Sequence, residues 1–575
     1  MTQRRDIEQA VKRTIRQIRR KLPLKVSPDW AKLLRSECVR WQELREAAEN
    51  GPKVLIATST GGHRAVAALE SLLAVALTLR GANVHVLLCD KVLPACLQSV
   101  AIEFRSQGAF VKHGPQQTLC DACFETGRRI YEPLGLPIHL YSELITQSEQ
   151  DFALEFSRSI DVSEIAHYHA DGLPVGEHAL AGALKHVARG TLDGEPYGEA
   201  ILRRYFRAAL LTMCATRTLL RAHEFTTACF NHGIYVPPGI IGAVARQKKV
   251  RVVNWNPAYR KQCFIFSHDD TYHRTLMQEP TAVWENLEWT PALDRRLTTY
   301  LKSRWQGTED WIWFHERPTE DLGKLAKKMG MDFTKTSIGM LTNVAWDAQL
   351  HYPANAFRDM LTWVIETVRY FIGRPDLQLI IRVHPAEVRG WVPSRQPVVD
   401  EIQKVFPELP DNIVIIPPES RISTYAVMLQ CDSVIIFGTK AGVELTSLGI
   451  PVIVAGEAWI RNKGISIDAK TAAEYFEWLD RLPLGRSMSE TMTRRARMYA
   501  YHFFFRRMIP LSMTRPVSRW RPYEIEMTGL ADLQPGQDPG LDVVCDGILS
   551  GTNFIYEDEA VHGTPGPAVA TTRLE

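Results

Sequence analysis

The sequence lacks the short motifs of several large enzyme classes. It contains no P-loop, no HExxH pattern and no internal repeat, which argues against a P-loop nucleotidase, a zincin-type metalloprotease and a repeat solenoid. It also lacks an uninterrupted apolar run of about 20 residues, the length that a helix needs to cross a bilayer. Its N-terminus is charged throughout, unlike a secretory signal peptide. We therefore expect a cytoplasmic protein.

The sequence also has a small net charge and few cysteines. The formal net charge of the 575 residues is only +3, so whole-protein charge does not argue for nucleic acid as a partner. The 10 cysteines predict reduced thiols and not a disulfide scaffold. What is present is ordinary globular material, with 45% hydrophobic and 23% charged residues. The length predicts more than one domain, at about 100–200 residues each.

The clearest strand pattern lies in the second half of the chain. Residues 377–383 are an apolar and β-branched run that predicts a buried parallel strand, and the run ends in polar groups at His384. Residues 412–417 and 431–437 predict two more strands, and the last of them runs into a glycine turn at Gly438, then a helix and a further strand. The chemistry is therefore expected at strand ends.

These strand ends predict a binding pocket. In an open α/β sheet, ligands bind beyond the carboxyl ends of the strands, where helix N-termini offer free N–H groups and partial positive charge. Gly438 and Thr439 would begin such a helix and suit a phosphate. Arg382 and His384 would donate hydrogen bonds to phosphate from the other side, and Glu444 would accept them from sugar hydroxyls. This combination predicts a nucleotide-sugar pocket.

The motifs Arg382-Val-His384-Pro and Gly438-Thr-x-x-Gly-x-Glu444, followed by Leu-Gly-Ile-Pro, resemble the donor-binding half of GT-B glycosyltransferases. His-Pro at a strand end is similar to the motif of bacterial sialyltransferases and capsule-type Kdo transferases, which bind cytidine monophosphate sugars. The glycine motif is shared with UDP-sugar transferases and hexosamine 2-epimerases. In the alternative interpretation, His384 only caps a strand and Glu444 is a solvated helix residue.

The resemblance implies an α/β protein with two Rossmann-like domains facing a crevice, with extra N-terminal and C-terminal helices. It implies a CMP- or UDP-sugar as substrate and no required cofactor or metal. Two further donor-side candidates are Glu387, just after the His-Pro pair, and Asn343, in the first loop of the second half.

The first half opens with a second Rossmann-like unit. Residues 53–58 predict a strand, and the glycine turn that follows contains Gly61, Gly62 and His63. The turn resembles the first loop of the acceptor-side domain in several GT-B transferases, where glycines let the backbone approach substrate. His63 is a candidate catalytic base because an imidazole has a pKa near working pH. The alternative is a positioning role for the loop.

A second catalytic candidate is Asp171. The pair Asp171-Gly172 resembles the acidic-glycine motif of bacterial sialyltransferases, in which the carboxylate is the general base, although Ala170 stands where that motif often has a second acid. The carboxylate could also act as nucleophile in a retaining reaction. The alternative is an ordinary Asp-Gly turn.

Polar and aromatic residues further along predict acceptor binding. His232 follows an apolar strand and precedes a glycine, and Tyr272 lies in a cluster of polar and aromatic residues. Rings beside polar groups suit sugars, which stack their apolar faces and hydrogen-bond their hydroxyls. The alternative is a buried aromatic core.

Four cysteines are weak candidates for a metal site: Cys89, Cys96, Cys120 and Cys123. The usual zinc signature has two close pairs, and the first pair here is too widely spaced for it. Buried thiols are the expected alternative.

Residues 1–25 combine an apolar stripe with many basic residues, a pattern of helices that lie on an anionic membrane. A helix that docks on its own domain is an equal alternative. The predicted divisions are 1–50 basic and helical, 51–330 acceptor-side, 331–485 donor-side, 486–555 a helical return segment, and 556–575 a disordered tail.

The combined prediction is a glycosyltransferase that acts on a surface polysaccharide or lipid-linked acceptor at the inner face of the membrane. The alternatives are a nucleotide-sugar epimerase of the same fold and a non-catalytic scaffold of polysaccharide assembly.

Overall fold

The structure is a computed structural model. It describes residues 27–115, 117–306, 310–311, 322–323, 326, 329–347, 354–518 and 521–557. The predicted membrane-surface helix of residues 1–25 lies outside the described residues, as does nearly all of the predicted tail.

The described strands form two sheets and one hairpin. In chain order they are β1 (Lys53–Ser59), β2 (Asn83–Leu88), β3 (Ile138–Leu140), β4 (Thr227–Asn231), β5 (Arg251–Pro257), β6 (Cys263–His268), β7 (Ser337–Leu341), β8 (Gln378–Arg382), β9 (Ile413–Ile416), β10 (Ser433–Ile436), β11 (Val452–Val454), β12 (Ile467–Asp468), β13 (Ile509–Pro510), β14 (Thr514–Ser518) and β15 (Arg521–Ile525).

The first sheet has the order β13-β6-β5-β4-β1-β2-β3, with β1 to β5 parallel and β6 and β13 antiparallel at one edge. The second has the order β12-β11-β10-β7-β8-β9 and is parallel throughout. In each sheet the first strand of the chain is central. The next strands are added on one side of it, and the later strands are added on the other side. Both therefore follow the doubly wound Rossmann order, with switch points between β1 and β4 and between β7 and β10.

Helices cover the faces of both sheets, which is why the central strands are apolar along their whole length. Every residue of β7, β8 and β10 is buried. The helices of the first half are Trp30–Leu33, Cys38–Ala48, Arg64–Thr78, Gln107–His113, Gln117–Tyr131, Tyr141–Leu144, Gln147–Ser159, Val162–Ile165, Val175–Val187, Gly198–Ala222, Pro238–Gln247, Tyr272–Gln278, Ala282–Glu285 and Pro291–Gln306. Those of the second half are Met360–Ile372, Ala386–Arg389, Val398–Val405, Thr424–Met428, Ala441–Ser447, Ala472–Asp480, Glu490–Tyr501 and Pro539–Ser550.

The C-terminal segment crosses back to the first domain. The helix Glu490–Tyr501 packs on the helix Ala441–Ser447 of the second domain, and a π-helical turn follows it at His502–Arg506. The chain then adds β13 to the first sheet, and the helix Pro539–Ser550 packs on that domain. The predicted α/β class with two Rossmann-like domains is confirmed.

Among the described residues, no helix combines the length and the apolar character needed to cross a bilayer.

Candidate active site

Loops from both switch points face one crevice. In the first domain they follow β1 and β4, and in the second they follow β7 and β10. At a switch point, the loops that follow two neighbouring strands lead to opposite faces of the sheet. They therefore leave a gap between them in which a ligand can bind. Tyr235 of the first domain donates its hydroxyl hydrogen bond to Oδ1 of Asp347 in the second, at 2.8 Å. This contact brings the two sets of loops together.

In the first domain, a non-glycine residue in the left-handed region follows or ends each of the two switch-point strands. Ser59, at the end of β1, has φ 53°, and His232, directly after β4, has φ 77°. Such conformations cost about 1–3 kcal/mol each and concentrate at functional sites. The ring of His232 packs on Tyr235, with 4.7 Å between centroids. The predicted residue His232 thus lies at the crevice.

Asp347 is a carboxylate with His384, His273 and Lys185 around it. Its side chain is exposed in the loop after β7. Its negative charge favours protonation of His384, His273 and Lys185, and so opposes the effect of burial on the pKa of each. A single carboxylate therefore acts on three neighbouring basic groups from both domains.

His384 lies two residues beyond the end of β8 and is a neutral imidazole with a fixed tautomer. Burial lowers its pKa to about 4, and nearby Arg382 lowers it further while Asp347 opposes the shift. Its Nδ1 accepts a hydrogen bond from the backbone N–H of Ala386, at 3.1 Å. The proton of the neutral ring therefore resides on Nε2. Its backbone N–H donates to Oγ1 of Thr342, at 3.1 Å, which ties the loop after β8 to the loop after β7.

Lys185 and His273 complete the group, and sequence reasoning did not single out either as a site residue. Lys185, on the helix Val175–Val187, lies 4.0 Å above the ring of Tyr235. Burial lowers the pKa of Lys185 to about 8, so it remains mostly cationic at pH 7. His273 stacks on Tyr272, with 4.1 Å between centroids, and burial lowers its pKa to about 4. No pattern in the sequence marks Lys185, a single lysine on an apolar helix, as a site residue. His273, by contrast, belongs to the same polar and aromatic cluster as Tyr272.

The glycine turn after β1 contacts a helix, contrary to the prediction that it approaches substrate. A Cβ on Gly61 would meet the backbone of Gly127 at 2.5 Å. The N–H of Gly62 donates to Sγ of Cys123, at 3.1 Å. The helix Gln117–Tyr131 thus occupies the space that the two glycines leave, and their role here is close packing.

His63 caps the helix Arg64–Thr78. Its Nδ1 accepts from the backbone N–H of Val66 at 3.4 Å, and desolvation lowers its pKa to about 4, with Lys185 lowering it further. The ring is neutral and its available Nε2 carries the proton, which suits a hydrogen-bond donor more than a base. The catalytic role of His63 remains a prediction.

Asp171 lies away from the crevice, so the structure does not bring this predicted catalytic residue together with the others. Its carboxylate pairs with Arg217 at 2.9 Å and is 78% exposed. Its carbonyl accepts from Gln247, which ends the helix before β5. Gln247 therefore marks the amino-terminal edge of the sheet, opposite to the switch-point loops. The pair Asp171-Gly172, with φ 52° and 81°, is a turn.

Arg382 and Glu387 are turned into the protein and do not line the crevice. The Arg382 guanidinium donates to the carbonyls of Pro417 at 2.7 Å and Ser420 at 3.1 Å. Glu387 is buried and accepts from the backbone N–H of Val398, at 3.2 Å. Burial raises the pKa of Glu387 to about 8. Both side chains tie loops of the second domain together, and the structure does not bring them to the crevice where a donor would bind.

Glu444 is also buried, although it was predicted to accept hydrogen bonds from sugar hydroxyls. Its Oε1 lies 2.7 Å from Arg304, and the two side chains are 0% and 2% exposed. Arg304 also pairs with Asp310 at 2.5 Å. Arg304 ends the helix Pro291–Gln306, so this ion pair fastens that helix to the second domain. A sugar hydroxyl has no access to the carboxylate.

The remaining predicted residues are on the crevice side. Asn343 donates from Nδ2 to the carbonyl of Gly438, at 2.8 Å, which joins the loops after β7 and β10. Thr439 follows, with Oγ1 accepting from the N–H of Ala441 at 3.4 Å. Tyr272 packs on Trp459 of the second domain, with 5.6 Å between centroids.

The four cysteines Cys89, Cys96, Cys120 and Cys123 are free thiols. Burial raises the pKa of each. Among the described residues, the cysteines do not form a group of three whose Sγ atoms lie within 4.8 Å of one another. The geometry therefore does not support a metal at this place.

Two Rossmann sheets with facing switch points and a C-terminal segment that returns to the first domain define the architecture. The chain has the GT-B fold. Among solved structures, it is similar to the beta Kdo 2,4 transferase of Thermosulfurimonas dismutans, at 11% identity and a TM-score of 0.31, over 48% of this chain and 79% of that one.

Two further similar structures span more of this chain. The UDP-GlcNAc 2-epimerase of Methanocaldococcus jannaschii has 10% identity and a TM-score of 0.25, over 77% of this chain and 97% of that one. A spinosyn rhamnosyltransferase has 12% identity and a TM-score of 0.22, over 78% and 95%. All three TM-scores are below 0.5, so the fold is assigned from the topology of the two sheets and not from these likenesses. No family model matches the chain, and no curated protein sequence matches it.

Proposed function

We propose that the protein is a glycosyltransferase that moves a sugar from a nucleotide-sugar donor to a surface polysaccharide or a lipid-linked acceptor. The observation that carries the proposal is the Tyr235–Asp347 contact, which brings both switch points together around neutral imidazoles and a lysine. A crevice between two such sheets has room for two substrates, one on each domain.

The second domain would bind the donor, a CMP- or UDP-sugar. The Nε2–H of neutral His384 would donate to a phosphate oxygen, and Asn343, Gly438 and Thr439 would border the nucleotide. Cationic Lys185 would neutralise the charge that develops on the leaving phosphate. Preorganised donors of this kind stabilise such charge directly, and we propose that the reaction requires no metal or cofactor.

Asp347 takes the place of Asp171 as the proposed general base. Its carboxylate would accept the proton of the acceptor hydroxyl as that oxygen attacks the anomeric carbon. The bond between this carbon and the phosphate oxygen breaks, and its electron pair leaves with the nucleotide. His232 and Tyr272 would contact the acceptor. We further propose that the protein works at the inner face of the membrane, with residues 1–25 as the contact.

The first test is nucleotide binding, measured as thermal stabilisation of the full chain by CMP, UDP, GDP or ADP. A nucleotide present at 100 times its dissociation constant adds about 2.7 kcal/mol of stability. We expect CMP or UDP to stabilise the wild type, and His384→Ala to reduce the effect. His113→Ala, a substitution of an exposed histidine, is the matched control. No stabilisation by any nucleotide would favour the scaffold.

The second test separates transfer from epimerisation. The protein is incubated with the sugar conjugate of the nucleotide that binds, with and without a lipid or polysaccharide fraction, and products are followed by NMR. Nucleotide release that depends on the fraction supports transfer. An altered sugar that forms without it identifies an epimerase and overturns the proposal.

A further inference from the structure

Three histidines meet on the first domain, on the side away from the crevice. His85 lies in β2, His139 in β3, and His223 directly follows the helix Gly198–Ala222. His139 is paired with Leu87, two residues beyond His85, so both imidazoles stand on the same face of the sheet. His223 precedes β4 and therefore lies at the amino-terminal edge, whereas the switch-point loops lie at the carboxyl edge.

Their ring nitrogens are close enough to share one ion. Nδ1 of His85 lies 2.8 Å from Nε2 of His139. One ligand nitrogen from each of the three residues lies within 4.8 Å of the other two. In a tetrahedral zinc site, nitrogens at about 2.0–2.1 Å from the metal are about 3.3 Å apart. Opening the His85–His139 pair by about half an ångström and turning His223 inward would reach that geometry.

The surroundings suit entry and retention of an ion. His85 is buried, whereas His139 and His223 are partly exposed, so the group is open to solvent on one side. An imidazole ring binds a metal through the lone pair of a ring nitrogen. Phe225 packs edge-on against His85, with 5.2 Å between centroids, and shields the inner side.

The donor set selects the class of ion. Three imidazoles without a carboxylate suit zinc, copper or nickel and not magnesium or calcium, which prefer oxygen ligands. Three protein ligands leave a fourth position for water. We propose that His85, His139 and His223 bind a zinc ion that fastens β2, β3 and the end of the helix Gly198–Ala222. The site is independent of the proposed sugar transfer, because it lies at the other edge of the sheet.

The test uses the full chain after treatment with a chelator. Zinc(II) is titrated in competition with a chromophoric chelator at pH 7.5, and cobalt(II) serves as the spectroscopic probe. We expect one zinc per chain, a higher melting temperature with zinc, and a cobalt spectrum without the ultraviolet charge-transfer band of thiolate ligands. His139→Ala should weaken zinc binding at least about tenfold, the size of effect that loss of a supporting contact already has at metal sites.

Two controls separate this site from other ligands. His113→Ala, at an exposed position outside the group, should bind zinc as the wild type does, and so should Cys123→Ser. If His139→Ala does not fold, His223→Asn takes its place, because His223 follows the helix and belongs to no strand. Zinc binding that is absent, that survives loss of His139 or His223, or that disappears in Cys123→Ser would overturn the proposal.

Discussion

Two polar clusters connect the parts of this molecule, and one is open while the other is closed. The open cluster surrounds Asp347, which is exposed and bonded to Tyr235. The closed cluster surrounds Glu444, which is fully buried and paired with Arg304 at 2.7 Å. Both contain a carboxylate with basic groups around it. Only the carboxylate of the open cluster can be reached by a substrate.

The difference shows how the same chemistry serves two purposes. A buried ion pair is costly to desolvate and is stabilising only where its geometry is fixed by further bonds. Arg304 meets this condition through Glu444, Asp310 and the hydroxyl of Tyr300, at 3.0 Å. Asp347 is hydrogen-bonded to Tyr235 but exposed, so a substrate in the crevice can reach its carboxylate.

The largest expected effect is loss of transfer in Asp347→Asn. The amide keeps the shape of the side chain and can still accept from Tyr235, but it cannot take a proton. We expect the rate of sugar transfer to fall about 10²–10⁴-fold, the usual contribution of a general base. The free energy of unfolding should change by less than about 1 kcal/mol, since the residue is exposed. Transfer at the wild-type rate would exclude Asp347 as the base.

The closed cluster should show the opposite response. Arg304→Ala leaves the buried carboxylate of Glu444 with only the longer contact to Lys440, at 3.5 Å, so we expect a loss of about 3 kcal/mol in urea unfolding. The double variant Arg304→Met with Glu444→Leu removes both of these charges but leaves buried Asp310 without its arginine, so it should recover only part of this loss. Arg295→Ala, on the exposed side of the same helix, is the control and should cost less than about 0.5 kcal/mol. A single variant as stable as this control would contradict the argument.

The sequence could predict where strands end but not where long side chains turn. The apolar run before His384 placed that residue at the crevice, because a buried parallel strand has to end at the sheet edge. The bond between Asn343 and Gly438 follows from the same logic. Glu444, by contrast, pairs with an arginine 140 positions away. Only the packing of the helix Pro291–Gln306 on the second domain brings Arg304 to Glu444.

Residues without a motif were the harder part. Lys185 is one lysine on an apolar helix, and nothing in its neighbourhood marks it until Tyr235 and Asp347 are placed beside it in space. Asp171 is the reverse case, since its Asp-Gly pair matched a motif that a simple turn also produces. The histidines His85, His139 and His223 lie on separate elements, and strand register alone brings them together.

Glu70 extends the comparison to a buried carboxylate without an ion pair. It accepts from the N–H of Asn231 at 2.9 Å and from Nε1 of Trp255 at 3.0 Å. Burial raises the pKa of Glu70 to about 7, above its ordinary value of 4.5. The folded state thus holds its proton more tightly than the unfolded state, so its contribution to stability is fully present below pH 4.5 and is lost as pH rises through 7.

We expect this loss to reach about 3 kcal/mol by pH 8 relative to acidic pH. Glu70→Gln, which imitates the protonated acid, should remove that part of the pH dependence. Urea unfolding of both proteins at pH 5, 6, 7 and 8 measures it. A constant difference between the two proteins across these values would show that Glu70 does not titrate there.

The smallest expected effect separates two residues of one motif, His384 and Arg382. His384→Ala removes a donor that faces the crevice, so we expect CMP or UDP to bind about tenfold more weakly, with stability little changed. Arg382→Ala removes the donor to two partly buried carbonyls and should lower stability by about 1–3 kcal/mol. The fraction of Arg382→Ala that remains folded should bind the nucleotide with nearly the affinity of the wild type. Calorimetric titration with each nucleotide, beside urea unfolding, measures both quantities.

Because the pKa of His384 is lowered to about 4, its contribution to affinity should not change between pH 6 and 8. If Arg382→Ala lost nucleotide binding while keeping its stability, the guanidinium would have to turn toward the crevice when the ligand binds.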